Sequence, residues 1–248
     1  MRIGAVIIGD ELLSGRRTDQ HMAHTIEALG KRGLELTWCR IVGDSPDVLT
    51  QTFRETLGTG GLVFSFGGIG ATPDDQTRQC VAQAAGVPLV RHPEAAAILE
   101  EKFGDKAYPQ RILMADFPAG SEIVPNPFNQ VPGFSLRHHY FFPGFPQMAW
   151  PMLEWVLDER YVHLHQAEHK VQRLVRVYGV PESEMVPLME ALIAAHPAVK
   201  LSSLPHIGGD KSHIEFGLRG VPAAADAALE AFKLAMEKTG LKWEMASQ

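Results

Sequence analysis

The sequence predicts an α/β protein in which a doubly wound, mostly parallel sheet is followed by a small α+β domain. Apolar β-branched runs alternate with amphipathic segments in the first third of the chain, and the links between them are short. A second pattern of strand, helix, strand, strand and helix starts after a polar stretch near residue 163. With 248 residues, 45% of them hydrophobic, the chain can bury a core in each part. We expect domains at 1–163 and 164–248.

Three strands, each followed by a helix, are predicted at the start of the chain. Residues 3–8 form a near-continuous apolar run that ends at Gly9, which is typical of a central parallel strand covered on both faces. Ser45 before Pro46 is a capping residue followed by a proline at the first helical position. The predicted strands are 3–8, 34–42 and 62–66, and the predicted helices are 18–31, 46–58 and 73–85.

The pattern is looser between residues 88 and 146 and becomes regular again afterwards. Residues 171–177 alternate between apolar and polar side chains, as a half-buried strand does. The predicted elements before the boundary are helices over 94–103 and 146–157 and strands over 122–124 and 138–142. Those after it are strands over 171–177, 199–204 and 214–218 and helices over 184–194 and 223–237.

The composition limits the classes of partner. The count of 23 Lys and Arg against 29 Asp and Glu gives a net charge of −6, which argues against binding to a nucleic acid backbone. We find no apolar segment of some 18 residues and expect no membrane partner. Cys39 and Cys80 are too few and too far apart for a disulfide framework or a metal knuckle. We therefore expect free thiols and a cytoplasmic location.

Two loops follow predicted strands at the edge where α/β sheets bind ligands. The acidic loop, residues 9–19, begins Gly9-Asp10-Glu11-Leu12-Leu13-Ser14-Gly15 and ends at Asp19. The glycine loop, residues 67–75, reads Gly67-Gly68-Ile69-Gly70-Ala71-Thr72-Pro73-Asp74-Asp75. Because both loops lie at the carboxyl ends of neighbouring strands, we expect their side chains to meet in one cleft.

The glycine loop can be interpreted in two ways. Gly67, Gly68 and Gly70 let successive amides point at one anion, and Thr72 followed by Pro73 can start a helix whose positive end faces the loop. This is a phosphate cradle, although it matches neither a dinucleotide fingerprint nor a P-loop. Alternatively, Thr72 and Asp75 form a capping pair and the glycines serve a tight turn.

The acidic residues favour a metal in the same cleft. Asp10, Glu11, Asp74 and Asp75 would place carboxylates near amides suited to phosphate. Carboxylates and phosphate repel each other unless a cation lies between them, and Mg²⁺ typically binds one or two carboxylates together with phosphate oxygens. We therefore expect these four residues to hold Mg²⁺ or a similar divalent ion.

Taken together, the two loops resemble the molybdopterin-binding (MoaB/MogA-like) domain family, and within it the N-terminal region of the CinA-like (competence-damage-inducible) proteins. The shared motifs are the Gly9-to-Gly15 run with Asp19, and the glycine loop continued to Thr77. The segment after Gln166 resembles the small second domain of these proteins. The resemblance implies a three-layer α/β/α domain for a pterin or an adenine nucleotide.

The resemblance also implies activities and site residues. CinA-like members are associated with metal-dependent cleavage of a pyrophosphate such as ADP-ribose or FAD. In the MogA-like branch, aspartates matching Asp75 and Asp44 support adenylylation of molybdopterin. We assign Asp10, Asp74 and Asp75 to catalysis. The predicted binding residues are Gly9, Glu11, Ser14, Gly15, Asp19, Gly67, Gly68, Gly70, Thr72, Gly133, Pro143 and Gly144.

Three departures from the family pattern stand in the sequence. Ala71 replaces a usual proline, His21 replaces a usual asparagine, and the loop Pro143-Gly144-Phe145-Pro146-Gln147-Met148 lacks a usual glutamate. Residues 126–133 resemble the family's substrate-side loop, or alternatively form a proline-rich surface turn.

Three functions follow as hypotheses. The first is a metal-dependent nucleotide pyrophosphatase, the second a molybdopterin adenylyltransferase, and the third a non-catalytic protein that binds a pterin or a nucleotide. The missing glutamate and Ala71 favour the third. For all three we expect a small-molecule ligand and a homo-oligomer, either a dimer or a trimer.

Overall fold

The computed structural model describes residues 2–166, 170–208 and 212–246. The chain divides into two compact units, Met1–His165 and Gln166–Gln248. Each unit has its own apolar core. Within the described residues, none of the helices combines the length and the apolar character needed to cross a bilayer.

The first unit is built on a six-stranded sheet with the order β2-β1-β3-β8-β7-β6. Strands β2, β1, β3 and β8 are parallel, and β7 runs antiparallel to both of its neighbours. A separate antiparallel pair joins β4 to β5. The strands are β1 (Ile3–Ile8), β2 (Trp38–Val42), β3 (Leu62–Phe66), β4 (Leu89–Arg91), β5 (Asp116–Pro118), β6 (Glu122–Val124), β7 (Gly133–Leu136) and β8 (His139–Phe142).

Helices cover both faces of this sheet. Alternate residues of β1 enter two different cores: Ile7 packs with α2 and α6, and Val6 packs with α3 and α4. This alternation confirms the prediction of a three-layer α/β/α arrangement with a mostly parallel sheet. The helices are α1 (Asp10–Leu13), α2 (His21–Gly30), α3 (Pro46–Gly58), α4 (Thr77–Ala85), α5 (Pro93–Phe103) and α6 (Pro146–Trp155).

The second unit is the predicted α+β fold. Four antiparallel strands have the order β10-β11-β9-β12, and two helices pack on the sheet through a core that includes Phe216 and Phe232. The strands are β9 (Val171–Tyr178), β10 (Lys200–His206), β11 (His213–Gly220) and β12 (Trp243–Met245), and the helices are α7 (Glu182–Ala195) and α8 (Pro222–Thr239).

Two helix starts differ from the prediction because a carboxylate organises the preceding residues. The helix predicted from residue 73 begins at Thr77, since Asp75 closes a turn with Thr72. The helix predicted from residue 18 begins at His21, where Asp19 accepts the amides of His21 and Met22 at 2.9 and 3.0 Å.

Several short elements were not predicted. The four-residue β7 is buried at every position, so its sequence has no alternation to identify it. Helix α1 and strands β4, β5 and β12 are three or four residues long, which is too short for a periodic pattern. The strand predicted from residue 34 begins at Trp38.

Candidate functional site

A cavity of about 890 Å³ opens in the first unit where β1, β3 and β8 end. Its walls come from the acidic loop, the glycine loop, residues 126–132 and residues 143–148. This is the edge at which parallel α/β sheets bind ligands, and the volume is in the range of small-molecule and cofactor sites. The fold therefore brings the two predicted loops into one cleft.

The glycine loop needs glycine at its first two positions. Gly67 and Gly68 have φ values of 106° and 68°, a region that strains other residues. A Cβ atom on Gly67 would lie 2.6 Å from the carbonyl oxygen of Ile8, and one on Gly68 would lie 2.3 Å from Oγ1 of Thr77. Both positions therefore combine an unusual backbone angle with a close neighbour.

Thr77 holds the carbonyl groups of this loop. Its Oγ1 donates to the oxygen of Gly67 and its amide donates to the oxygen of Gly68, both at 3.0 Å. Within the described chain, the amides of residues 68–71 donate to no acceptor. The loop thus leaves a run of amide donors for an anion in the cavity.

Asp75 has the local contact that the capping interpretation predicts. Its Oδ2 accepts the amide of Thr72 at 2.9 Å and also the Thr72 hydroxyl, and its own amide donates to the carbonyl of Thr72 at 3.0 Å. The pair closes a turn inside the loop and does not cap a helix, because Gln76 precedes α4. Pro73 is therefore not the first residue of a helix, and α4 begins four residues later in the sequence, at Thr77.

Arg78, which no sequence motif indicated, supports the loop from inside the protein. Its buried guanidinium donates to the carbonyl of Gly70 at 2.5 Å and to that of Leu113. Burial lowers the pKa of Arg78 from its ordinary value. A positively charged side chain in the first turn of a helix interacts unfavourably with the helix dipole. An arginine at this position is therefore a sequence signal of a role outside the helix.

Carboxylates from three segments also line the cavity. Glu11, Asp44 and Asp74 line the cavity. The amide of Asp10 donates to Oδ2 of Asp44 at 2.9 Å, and the amide of Asp44 donates to Oδ1 of Asp10 at 3.2 Å. Burial raises the pKa of Asp44; the hydrogen bond from Asp10 opposes this, and the charges of Asp10, Glu11 and Asp74 add to it. The charges of Asp10, Glu11 and Asp74 therefore all act on the carboxylate of Asp44.

The predicted metal ligands are only partly brought together. Glu11, Asp74 and Asp75 line the cavity, and Asp75 also accepts a hydrogen bond from the amide of Thr72. Asp10 lies outside the lining, where it accepts the amide of Asp44. Among the described residues, the group of three potential ligands with atoms within 4.8 Å of one another lies in the second unit. Carboxylate oxygens are of the ligand type that Mg²⁺ prefers.

Other predicted binding residues separate into two groups. Gly9, Asp19, Pro143 and Gly144 line the cavity. Ser14, Gly15 and Gly133 lie outside its lining. The Oγ of Ser14 donates to the carbonyl of Glu11 at 3.3 Å. Gly133 lies in β7, where a Cβ atom would lie 2.3 Å from the carbonyl oxygen of Phe141, so close packing of strands explains this glycine. Its neighbours Val131 and Pro132 line the cavity instead.

Asn126 shapes the segment before Gly133. Its buried side chain accepts the amide of Phe128 at 3.1 Å and donates to the carbonyl of Val131 at 3.0 Å. Asn126 and Asn129 both line the cavity. The segment is thus a structured wall of the cleft as well as a proline-containing turn.

His21 connects the acidic loop to residues 143–148. Its ring stacks on Phe66 with centroids 4.5 Å apart, and its Nε2 lies 3.3 Å from the carbonyl oxygen of Gly144. Burial lowers the pKa of His21, which favours the neutral ring. His21, predicted only as a departure from the family pattern, thus lines the cavity.

Comparison with known proteins identifies the family. Residues 4–163 match the family described as the probable molybdopterin binding domain. The chain belongs to this molybdopterin-binding domain family. It is 34% identical over 240 residues to a CinA-like protein of Anaeromyxobacter dehalogenans (strain 2CP-C), an alignment that covers 92% of this chain and 57% of that protein. A CinA-like protein of Anaeromyxobacter sp. (strain K) is 33% identical over the same coverage.

A solved structure supports the same assignment. The crystal structure of the protein CinA, with unknown function, from Thermoplasma acidophilum has a TM-score of 0.59 and 28% identity, and covers 64% of this chain and 98% of that one. The resemblance to CinA-like molybdopterin-binding domains is therefore confirmed. The chain spans little more than half the length of the two Anaeromyxobacter relatives.

Proposed function

We propose that the first unit binds a dinucleotide in this cavity and hydrolyses its pyrophosphate with a divalent cation, acting on an ADP-ribose-like or FAD-like substrate. The observation that carries the proposal is that one cleft combines unpaired amides with carboxylates. Residues 68–71, whose amides donate to no acceptor among the described residues, line the same cavity as Glu11, Asp44 and Asp74. A phosphate satisfies the amides, and a cation bound to the phosphate satisfies the carboxylates.

The glycine loop would hold the pyrophosphate. The free amides donate to phosphate oxygens. Thr77, Asp75 and Arg78 already hold the loop in shape, so ordering it costs little binding free energy. Arg16 and Arg17 line the cavity and are exposed, and Nη1 of Arg17 lies 3.7 Å from Oε1 of Glu11, so positive charge is available to a phosphate beside the carboxylates.

The carboxylates would hold the cation. Glu11, Asp44 and Asp74 offer oxygen ligands, and Asp10 positions Asp44 through the paired hydrogen bonds. A bound divalent cation supplies neutralisation of phosphate charge and acidification of a water molecule. In the reaction, a water oxygen bonds to phosphorus, the bridging P–O bond breaks and the water proton goes to solvent. ADP-ribose then gives AMP and ribose 5-phosphate.

Molybdopterin is the second candidate ligand. The family description names it, and Asp44 and Asp75 both line the cavity, as adenylylation would require. Under this alternative, ATP and molybdopterin would give adenylylated molybdopterin. Binding without turnover is the third alternative, and the hydrogen bonds that occupy Asp10 and Asp75 favour it.

The test is a metal screen on the purified full chain. With ADP-ribose or FAD and Mg²⁺, Mn²⁺ or Co²⁺, we expect release of AMP, measured by chromatography. Glu11→Gln and Asp44→Asn should each lower the rate by more than about tenfold, because even outer partners of metal ligands have effects of this size. Glu101→Gln, on the exposed surface of α5, is the matched control and should leave the rate unchanged.

The other outcomes separate the alternatives. Adenylylated molybdopterin formed from ATP, with no AMP released from dinucleotides, would replace the first function by the second. Calorimetric binding of ADP-ribose with no turnover under any metal would leave a binding protein. If neither nucleotide nor molybdopterin bound, the proposal would fail.

A further inference from the structure

A second cavity of about 710 Å³ lies in the second unit beside strands β10 and β11. His206 and His213 line it, together with Tyr178, Glu182 and Lys242. Nothing in the pyrophosphatase proposal uses these residues. The feature that distinguishes this cavity is a group of potential metal ligands at its edge.

Strand pairing brings three such side chains together. His206 of β10 lies directly opposite His213 of β11, and Glu215 follows two positions after His213. Opposite residues and residues two apart share one face of a sheet. The intervening Ile214 and Phe216 are buried in the core with the helices, so the three ligands lie on the other face.

The distances allow one ion to be shared. One nitrogen from each histidine and one oxygen of Glu215 all lie within 4.8 Å of one another. The two rings are stacked with centroids 4.6 Å apart and an interplanar angle of 12°. Atoms that each lie about 2.0–2.2 Å from one zinc ion must be closer to one another than this, so the side chains would have to move together to bind it. His206 is exposed, so its ring can turn without disturbing the core.

Glu215 is already oriented by a neighbour. Its Oε2 accepts from Nε of Arg176 at 3.1 Å, which fixes the carboxylate in a half-buried position. Within the described chain no hydrogen bond reaches Oε1, so this oxygen can serve as a ligand while Arg176 keeps the other. Partners of this kind commonly orient metal-binding carboxylates.

We propose that His206, His213 and Glu215 bind a divalent transition-metal ion of the zinc class. Two imidazoles and one carboxylate suit Zn²⁺, whereas Mg²⁺ and Ca²⁺ prefer oxygen ligands alone. Three protein ligands leave a fourth position for water or an exogenous ligand. This site is separate in sequence and in chemistry from the carboxylates of the first unit.

The test is Zn²⁺ binding by the metal-free full chain in a millimolar excess of Mg²⁺, which saturates oxygen-only sites. Calorimetry should show one Zn²⁺ bound per chain. His206→Ala and His213→Ala should each weaken binding by more than about tenfold, and Glu215→Gln should weaken it in the same direction. His163→Ala, which removes an exposed histidine of the first unit, is the control and should bind as the wild type does.

X-ray absorption on the zinc-loaded wild-type protein gives a second readout that needs no variant. We expect two imidazole ligands with nitrogen or oxygen donors completing the shell. A shell without imidazole, unchanged binding in the His206→Ala/His213→Ala double variant, or absence of Zn²⁺ binding in the wild type would overturn the proposal.

Discussion

Asp75 acts on its own loop through two contacts with Thr72. Both the predicted metal site and the capping interpretation assign it importance, but for different reasons: the metal site needs its charge, and the capping interpretation needs an acceptor oxygen. The structure shows the acceptor contact directly. Because an amide oxygen can accept the same hydrogen bonds, the two roles can be separated by substitution.

We expect Asp75→Asn to keep most of the nucleotide affinity and Asp75→Ala to lose more than about tenfold. The alanine variant leaves the Thr72 amide without its acceptor and frees the turn, at a cost of about 1–3 kcal/mol. Calorimetric titration with ADP-ribose and Mg²⁺ measures both variants. Equal, severe losses in both would show that the charge of Asp75, and not its hydrogen bonds, supports binding.

At the scale of elements, the site depends on the connection between β3 and α4. The strand ends at Phe66, the glycine loop turns above it, and the first residues of α4 hold the loop through Thr77 and Arg78. Helix α4 also ends on a glycine, Gly86, with φ 70°. The two ends of one helix therefore offer a matched comparison of glycines with nearly equal backbone angles.

We expect Gly68→Ala to abolish measurable nucleotide binding and Gly86→Ala to leave affinity unchanged. Both substitutions strain a positive φ at a cost of about 1–2 kcal/mol. An added methyl group at Gly68 also meets Oγ1 of Thr77, whereas Gly86 has open space around it. Calorimetry with ADP-ribose measures affinity, and chemical unfolding measures the shared strain. If Gly68→Ala bound the nucleotide normally, the loop would not need its present shape.

For the molecule as a whole, a buried histidine links the stability of the first unit to pH. His139 begins β8 and is 1% exposed, and neither ring nitrogen has a partner within the described residues. Burial, with smaller contributions from the charges of His138 and Arg137, lowers its pKa to about 4. In the unfolded chain the ordinary value of about 6.5 applies, so the unfolded state binds the proton first as pH falls.

We therefore expect the first unit to lose stability as pH falls from about 6.5 to 4, at about 1.4 kcal/mol per pH unit from this residue. His139→Leu should reduce that slope, and the exposed His163→Ala should not. Urea unfolding at pH 5 and 7 measures the effect. A Trp243→Phe background leaves Trp38, Trp150 and Trp155, all in the first unit, as fluorescent reporters. An unchanged slope in His139→Leu would contradict this assignment.

Local pattern was sufficient for much of the fold. Strands 3–8 and 62–66 were predicted with their observed bounds, because an apolar run bounded by glycine or a turn marks a buried strand. Helix 46–58 was also predicted, since Ser45 and Pro46 define its start. The start of α4 was misplaced, because the side chain of Asp75 accepts the amide of Thr72 and closes a turn before the helix.

Residue type and spacing along the chain were sufficient to predict the α/β class, the position of the two loops and the family. Tertiary structure alone decided which polar atoms are already paired and which remain for a ligand. Asp10 meets Asp44, Arg78 meets Gly70, and the histidines of β10 and β11 meet each other only through the register and packing of separate elements. Hydrogen bonding and ligand geometry are short-ranged, so an error of one residue in register redirects every side chain of a strand.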